Sequence, residues 1–186
     1  FDAVSNLLRN KNYSFKPADT FDIELTANGL LKSINEFTLD YKLRPEYEIS
    51  HIQWLYDILK ANKHRGDLKG YIVKGDKGEI IGSFMYYLKD TGFCEVIFIT
   101  AHKKCRSKVL HHLLYRATAD GAVGIYGRME PDFLESFWEN KFLIKRGSWA
   151  LVHARDENIL NIIHKGNAFI SALEGECWLY SPSVKL

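Results

Sequence analysis

Two apolar runs rich in β-branched and aromatic residues, 68–73 and 79–88, flank the sequence Lys74-Gly75-Asp76-Lys77-Gly78, and this restricts the fold more than any other feature. Glycines there supply the positive φ that a tight reversal needs, so the runs are predicted to form a β-hairpin. A second reversal, Asp90-Thr91-Gly92, sends the chain into another apolar run, 93–101. Connections this short join antiparallel neighbours, which predicts a three-stranded meander. Beyond it the period changes. Val109, Leu110, Leu113, Leu114 and Ala117 recur at helical spacing, Asp120-Gly121 ends that helix, and residues 122–127 read as a strand. A strand, a helix and a strand with no hairpin between them need a crossover, so this strand is predicted to lie parallel to the 93–101 run.

Helices are expected on either side of this segment. Thr26 is placed to cap one that runs through Phe37. Arg44-Pro45 forces extended backbone, after which Tyr47, His51, Trp54, Leu55, Ile58 and Leu59 recur at helical spacing. On that face His51 reads as a hydrogen-bonded boundary residue before it reads as a ligand. Glu130-Pro131 opens a helix carrying Phe133, Leu134, Phe137 and Trp138, and residues 156–164 make another closed by Gly166. Residues 21–25 alternate like a half-buried strand. A last hairpin is expected from 142–144 and 149–154, a helical turn over 168–173, and a short strand over 177–180. Residues 1–20, with Val4, Leu7 and Leu8 ahead of Pro17, are expected to hold a helical turn and a connector. The chain opens on Phe1 in place of methionine, consistent with a piece of a longer protein. The predicted class is α/β, a mixed, mostly antiparallel central sheet flanked by helices. Residues 1–43 are expected as an N-terminal strand and helix extension, and 44–186 as the main domain.

At 186 residues, 46% hydrophobic and 26% charged, the chain has the composition of a folded globular domain and length enough for a real core. A net charge of +2 gives no reason to expect nucleic acid or an anionic membrane as partner. No apolar run nears the roughly 20 residues that span a bilayer, and the first residues lack a leader's apolar middle, so a cytoplasmic protein is expected. Cys94, Cys105 and Cys177 show neither a CxxC pair nor paired histidine spacing. Reduced thiols are expected, with Cys94 and Cys177 packed and Cys105, among cations, the one open to a reactive role. No metal site is expected, because His111 and His112 are neighbours on a helix and point about 100° apart.

The chemistry is concentrated where the 93–101 strand turns into its helix. Lys103, Lys104, Arg106 and Lys108 surround Ser107 there. A helix start offers unpaired N–H groups and the positive end of the macrodipole, so cations at that point deepen a site for phosphate or diphosphate. A solvated loop has the same composition. Glu95 is out of place in an otherwise apolar strand. Burial would raise its pKa toward the range of a general base, and a strand-end carboxylate facing water is an equal reading.

The order of elements, with a basic turn between the third strand of a meander and its helix, resembles the GNAT acyltransferase superfamily over roughly residues 44–154. The resemblance implies an acyl-CoA, acetyl-CoA in the simplest case, as acyl donor. Arg106 matches the residue that leads the family's diphosphate loop, with Lys104, Ser107 and Lys108 in the same loop; Val109 and His111 stand where the family carries glycines. Phe98, Ile99, Thr100 and Ala101 match the strand whose edge pairs with pantetheine amides, and Glu95 the position at which some members carry the base. The run Phe137-Trp138-Glu139-Asn140-Lys141-Phe142 resembles the family's helix-to-strand signature, with Trp138 where a tyrosine often serves as general acid. An indole N–H cannot fill that role, which leaves Tyr115, Tyr126 and His153 as spare acids.

Acyl-CoA-dependent transfer to an amine is therefore the activity the resemblance implies, and the acceptor, a small molecule or another amine, is not specified by these residues. The alternative is a non-catalytic GNAT-like domain serving ligand binding or assembly, with Trp149, Trp178 and Tyr180 on a docking surface. The stretch 128–179 resembles the end of bacterial proteins built from tandem GNAT-like halves, which would make this the C-terminal half and supply a partner GNAT-like domain.

Overall fold

Seven strands make one sheet in a computed structural model that describes residues 2–6 by their backbone and residues 16–145 and 152–173 in full. In chain order they are β1 (Asp2–Asn6), β2 (Thr20–Glu24), β3 (Asp67–Gly75), β4 (Ile80–Leu88), β5 (Phe93–Ala101), β6 (Gly124–Arg128) and β7 (Leu143–Lys145). Their spatial order is β2-β3-β4-β5-β6-β1-β7. The turns behave as their glycines require. Gly78 and Gly92 sit at φ 82° and 79°, a region that a Cβ disfavours, and β3, β4 and β5 run as the antiparallel meander. After α3 (Arg106–Ala119) the chain returns in β6 parallel to β5. The sheet is mixed and mostly antiparallel with helices on both faces, the α/β class expected.

One face is covered by α1 (Ala27–Phe37) and α2 (Ile49–Ala61), whose Leu30, Ile34, Ile52 and Leu55 are buried with Met85 and Phe98. The other is covered by α3 and α4 (Leu134–Glu139), where Val109, Leu110 and Phe137 share a core with Phe84, Tyr86 and Ile99. Each such side chain stabilises the fold by about 1.5–3 kcal/mol relative to exposure. Helix α3 lies close on the sheet because Gly82 has no side chain: a Cβ there would stand 2.6 Å from Val109 Cγ2 and 2.5 Å from the Thr100 carbonyl. The last described helix is α5 (Glu157–His164), capped by the Asp156 carboxylate and followed by Gly166 at φ 68°. Among the described residues no helix is long and apolar enough to cross a membrane.

A β-bulge decides which way the end of β5 faces. Met85 lies opposite Phe98 and Tyr86 opposite Val96, so Ile97 is the extra residue. Ile97 and Phe98 accordingly both belong to the α1/α2 core, and the alternation after them is reversed.

Two expectations change, and others fall on residues outside those described. The first residues form a strand, not a helical turn: residues 2–6 insert between β6 and β7, and each finds antiparallel partners there. Strand β7 pairs with β1; of the hairpin partner expected over 149–154, residues 149–151 lie outside the described residues and 152–154 are not strand. Residues 168–173 do not form a helical turn, because their backbone bonds go to the connector between α1 and α2: Ala168 bridges Leu43, and the Phe169 N–H donates to the Leu43 carbonyl at 2.9 Å. The short strand expected over 177–180 lies outside the described residues. Strand β2 and helix α1, from within residues 1–43, belong to the same sheet and core as the rest.

Edge strand β2 is tied to α3 by a buried histidine. His112 bonds Asp22 Oδ1 through Nε2 and Thr20 Oγ1 through Nδ1, both at 2.8 Å. Burial lowers its pKa below 6.5 and outweighs the Asp22 carboxylate, which acts to raise it. The ring is therefore neutral in the fold, with Nε2 donating to Asp22 and Nδ1 accepting from the Thr20 hydroxyl. Because the unfolded chain binds the proton more tightly, this contribution to stability is complete above about pH 6.5 and is lost as the pH falls below it. Melting temperature measured between pH 8 and pH 5 is expected to decline on the acid side, and His112→Gln to flatten that part of the slope. The cap on α1 gives a second expectation. Thr26 Oγ1 accepts from the Gly29 N–H at 3.1 Å, so Thr26→Ala should cost about 1 kcal/mol in denaturant unfolding.

Candidate functional site

Strands β5 and β6 pair from Phe93–Gly124 to Val96–Gly127 and then part. The vertex depends on a glycine, since a Cβ on Gly127 would stand 2.7 Å from the Val96 carbonyl oxygen. Beyond it β5 continues through Phe98, Ile99, Thr100 and Ala101, and no described strand pairs with the edge turned away from β4. At about 3.3 Å per residue that free edge is roughly 17 Å long. Its unpaired N–H and C=O groups can take the amides of an extended ligand as a strand would. At its end the chain enters a 3-10 turn, Lys103–Cys105, and then α3.

The basic turn is where the sequence places it, and two of its cations, Arg106 and Lys108, are already engaged. Arg106 Nη2 donates to Asp132 Oδ2 at 2.5 Å, and Lys108 is paired with Asp19. The Lys104 N–H donates to His102 Nδ1 at 3.3 Å, and the Cys105 N–H to the His102 carbonyl at 2.7 Å. Beside the turn a cavity of about 430 Å³ opens, walled by His102, Lys103 and Arg106 on one side and by Glu36, Asp40 and Asp132 on others. The anion site expected at this turn thus has acidic neighbours from elsewhere in the chain. Asp132 and Asp19, from two other segments, meet Arg106 and Lys108 because opposite charges attract. Val109 is fully buried in the core, and His111 is held at 3.0 Å from Asn140 Oδ1, so neither position opens the backbone as a glycine would. Further along the β5 edge are two voids of only about 10 and 20 Å³, both touching Ile99.

At the vertex a second charged group assembles. Glu95 is the register partner of Tyr126 across the parallel pair. Its carboxylate accepts from Arg65 Nη2 at 2.5 Å and lies 2.9 Å from Lys89 Nζ, and Lys89 also bonds the Tyr126 hydroxyl. Burial acts to raise the Glu95 pKa, but Lys89 and Arg65 outweigh it and hold the carboxyl below its ordinary value. The raised pKa expected for Glu95 is therefore corrected: burial comes with two cations attached. Burial lifts the Tyr126 phenol above its ordinary value.

Of the spare acids only Tyr126 lies beside Glu95. Tyr115 is half-buried against the His112 ring, and His153 is exposed. Trp138 is 77% exposed on the outer side of α4. Cys94 is packed in the core, where burial pushes its thiol up to about 12; Cys105 is half-buried at the turn. His111 and His112 have separate partners, and among the described residues no group of three His, Cys, Asp or Glu side chains is arranged to hold a metal. Trp149, Cys177, Trp178 and Tyr180 lie outside the described residues. Sequence reasoning missed Asp132, Arg65 and Lys89. The hairpin register could have placed Lys89 near Glu95, whereas Arg65 and Asp132 arrive from other elements and leave no local signal.

No family model matches the sequence, and no curated protein matches it. Solved structures match it by shape. Spermidine N-acetyltransferase from Vibrio cholerae, in complex with CoA and spermine, gives a TM-score of 0.54 at 13% identity over 70% of this chain and 84% of that one. A functionally unknown conserved protein from Staphylococcus epidermidis gives 0.50 at 9% identity over 76% of this chain and 56% of that one. A GCN5-related N-acetyltransferase from Kribbella flavida is 14% identical with a TM-score of 0.45, over 76% of this chain and 52% of that one. The chain thus spans about half the length of the latter two. It has the fold of the GCN5-related N-acetyltransferases, GNAT for short, as the resemblance in its sequence implied.

The geometry at the vertex yields one direct expectation. Carboxyl NMR titration should find Glu95 below about 4.5, and Arg65→Ala should raise that value by removing one of the cations that depress it.

Proposed function

We propose that this domain is an acyl-CoA-dependent N-acyltransferase, with acetyl-CoA as the simplest donor and an amine as acceptor. One observation carries the reading: β5 and β6 part after Val96 and Gly127, and the free edge of β5 leads to a cationic turn at the start of a long helix. The donor would supply a thioester already activated for attack. This chain's residues partly fit it. Phe98, Ile99, Thr100 and Ala101 present backbone to pantetheine amides, and Lys104, Arg106, Ser107 and Lys108 surround the place of the diphosphate, Arg106 once it leaves Asp132.

Glu95 takes the proton from the attacking amine, directly or through one water, as the new C–N bond forms. The C–S bond breaks, and Tyr126, beside it and bonded to Lys89, is placed to return a proton to the departing thiolate. With its pKa held low Glu95 is ionised throughout the neutral range, which makes it ready but weak as a base. Positioning of amine against thioester then supplies most of the acceleration. The spermine in the Vibrio cholerae complex illustrates the class of amine.

The alternative is a GNAT-fold domain retained for ligand binding or for assembly, including docking to a second GNAT-like half. It draws on the pairing of Arg106 with Asp132 and of Glu95 with two cations, which leaves both residues already engaged within the chain.

A melting experiment separates the two. Acetyl-CoA at about 100 times its Kd should stabilise the domain by roughly 2.7 kcal/mol, and Arg106→Ala should weaken binding about tenfold. Absence of any shift with acetyl-CoA or CoA favours the alternative. If transfer is observed, kcat/KM should rise with pH toward the amine's own pKa with no inflection from Glu95 above about 4.5, and Glu95→Gln should lower turnover at every pH.

A further inference from the structure

The mouth of the β5–β6 cleft is crossed by a chain of side chains from four segments. Arg106, at the start of α3, bonds Asp132 in the turn before α4 at 2.5 Å. Tyr41, in the connector between α1 and α2, lines the same two cavities as Asp132, and burial together with that nearby carboxylate raises the Tyr41 pKa. The Tyr41 ring lies 5.6 Å from that of Phe169, which meets Phe98 of β5 edge-on at 6.4 Å. The segment that brings Phe169 is strapped to the connector. The Lys42 N–H donates to Asn167, to its carbonyl at 3.2 Å and its side-chain oxygen at 3.1 Å, and the Phe169 N–H donates to the Leu43 carbonyl at 2.9 Å.

Outside this line lies the 430 Å³ cavity, and along the cleft from it, among the described residues, lie voids of about 10 and 20 Å³. Residues of the line wall both sides: Tyr41 and Asp132 face the outer cavity and the 10 Å³ void alike. The two halves of the line differ in strength. Phe169 is 6% exposed and held by packing, whereas the Arg106 and Asp132 side chains are 23% and 37% exposed, so water screens their bond and an incoming anion can compete for the arginine.

We infer that Asp132, Tyr41 and Phe169 form a clasp that shuts the cleft, and that a diphosphate-bearing ligand opens it by taking Arg106 from Asp132. The inference rests on the acyl-CoA reading. In the closed state Asp132 neutralises the cation that the diphosphate needs, and Tyr41 and Phe169 fill the space beside the β5 edge. Transfer of Arg106 to the diphosphate leaves Asp132 facing an anion. That repulsion drives the turn before α4 outward, and Tyr41, packed between Asp132 and the Phe169 ring, loses the carboxylate beside its hydroxyl. Apparent affinity is then the intrinsic affinity reduced by the fraction of molecules with the clasp open, and weakening the clasp raises it chiefly through the association rate.

The test is stopped-flow and calorimetric binding of CoA to the full chain and to single variants. Asp132→Asn and Tyr41→Phe, the latter keeping the ring and removing only the hydroxyl, are each expected to bind CoA about tenfold more tightly, with the gain in association rate. Glu36→Gln removes a carboxylate from the same cavity wall without touching the clasp and is expected to change affinity less than about twofold. Equal gains in Asp132→Asn and Glu36→Gln, with none in Tyr41→Phe, would reduce the effect to charge and overturn the clasp. So would CoA binding to the wild type with all three variants unchanged, and in both cases the acyl-CoA reading stands. No CoA binding to the wild type or to any variant that melts cooperatively overturns both.

Discussion

Everything at the candidate site follows from the point where β5 and β6 stop pairing. Four register pairs, from Phe93–Gly124 to Val96–Gly127, hold the strands together, and Gly127 allows the backbone approach at which the pairing ends. Past that point the sheet is open on one side of β5. An open edge inside a folded domain leaves backbone donors and acceptors that need partners, so this edge is where a ligand, or a part of the chain standing in for one, must go. The bulge at Ile97 adds direction by turning Phe98 toward α1 and α2 and Ile99 toward α3. The covering elements of the two faces therefore both reach the opening.

The functional charges singled out at this site, Arg106, Lys108 and Glu95, are each paired. Arg106 has Asp132, Lys108 has Asp19, and Glu95 has Arg65 and Lys89. Lys108 and Asp19 are exposed, whereas the Arg106 and Glu95 groups are partly withdrawn from bulk water, where an unpaired charge costs more than a surface pair gains. A basic turn read along the chain as an anion site is consequently, in three dimensions, half of several ion pairs. Whether it then binds an anion depends on how readily the acidic partners yield, and the partners differ: the Arg106–Asp132 bond lies at the mouth of a cavity, while Glu95 sits inside the vertex with its cations.

Much of the fold was legible because its signals are local. Gly78 and Gly92 at positive φ, Thr26 as a cap and the apolar stripes of α2 and α3 depend on residues a few positions apart. The failures fell where a segment's conformation is set by something distant. Residues 2–6 are a strand because β6 and β7 offer edges to either side, and residues 168–173 are not helical because the α1–α2 connector takes their hydrogen bonds. The candidate site divides in the same way. Glu95 and Arg106 could be picked out as charges in unexpected places, but Asp132, Arg65, Tyr41 and Phe169 carry no mark along the chain.

The amino-acid order alone determined the meander, the crossover to a parallel strand and the basic turn between them, because turn glycines, hydrophobic period and connection length act over a few residues. Tertiary structure decided the state of that turn and of Glu95. Ion pairing and the closing of the β5–β6 cleft join residues far apart in sequence, and a charge's pKa and availability depend on which opposite charges the fold carries to it.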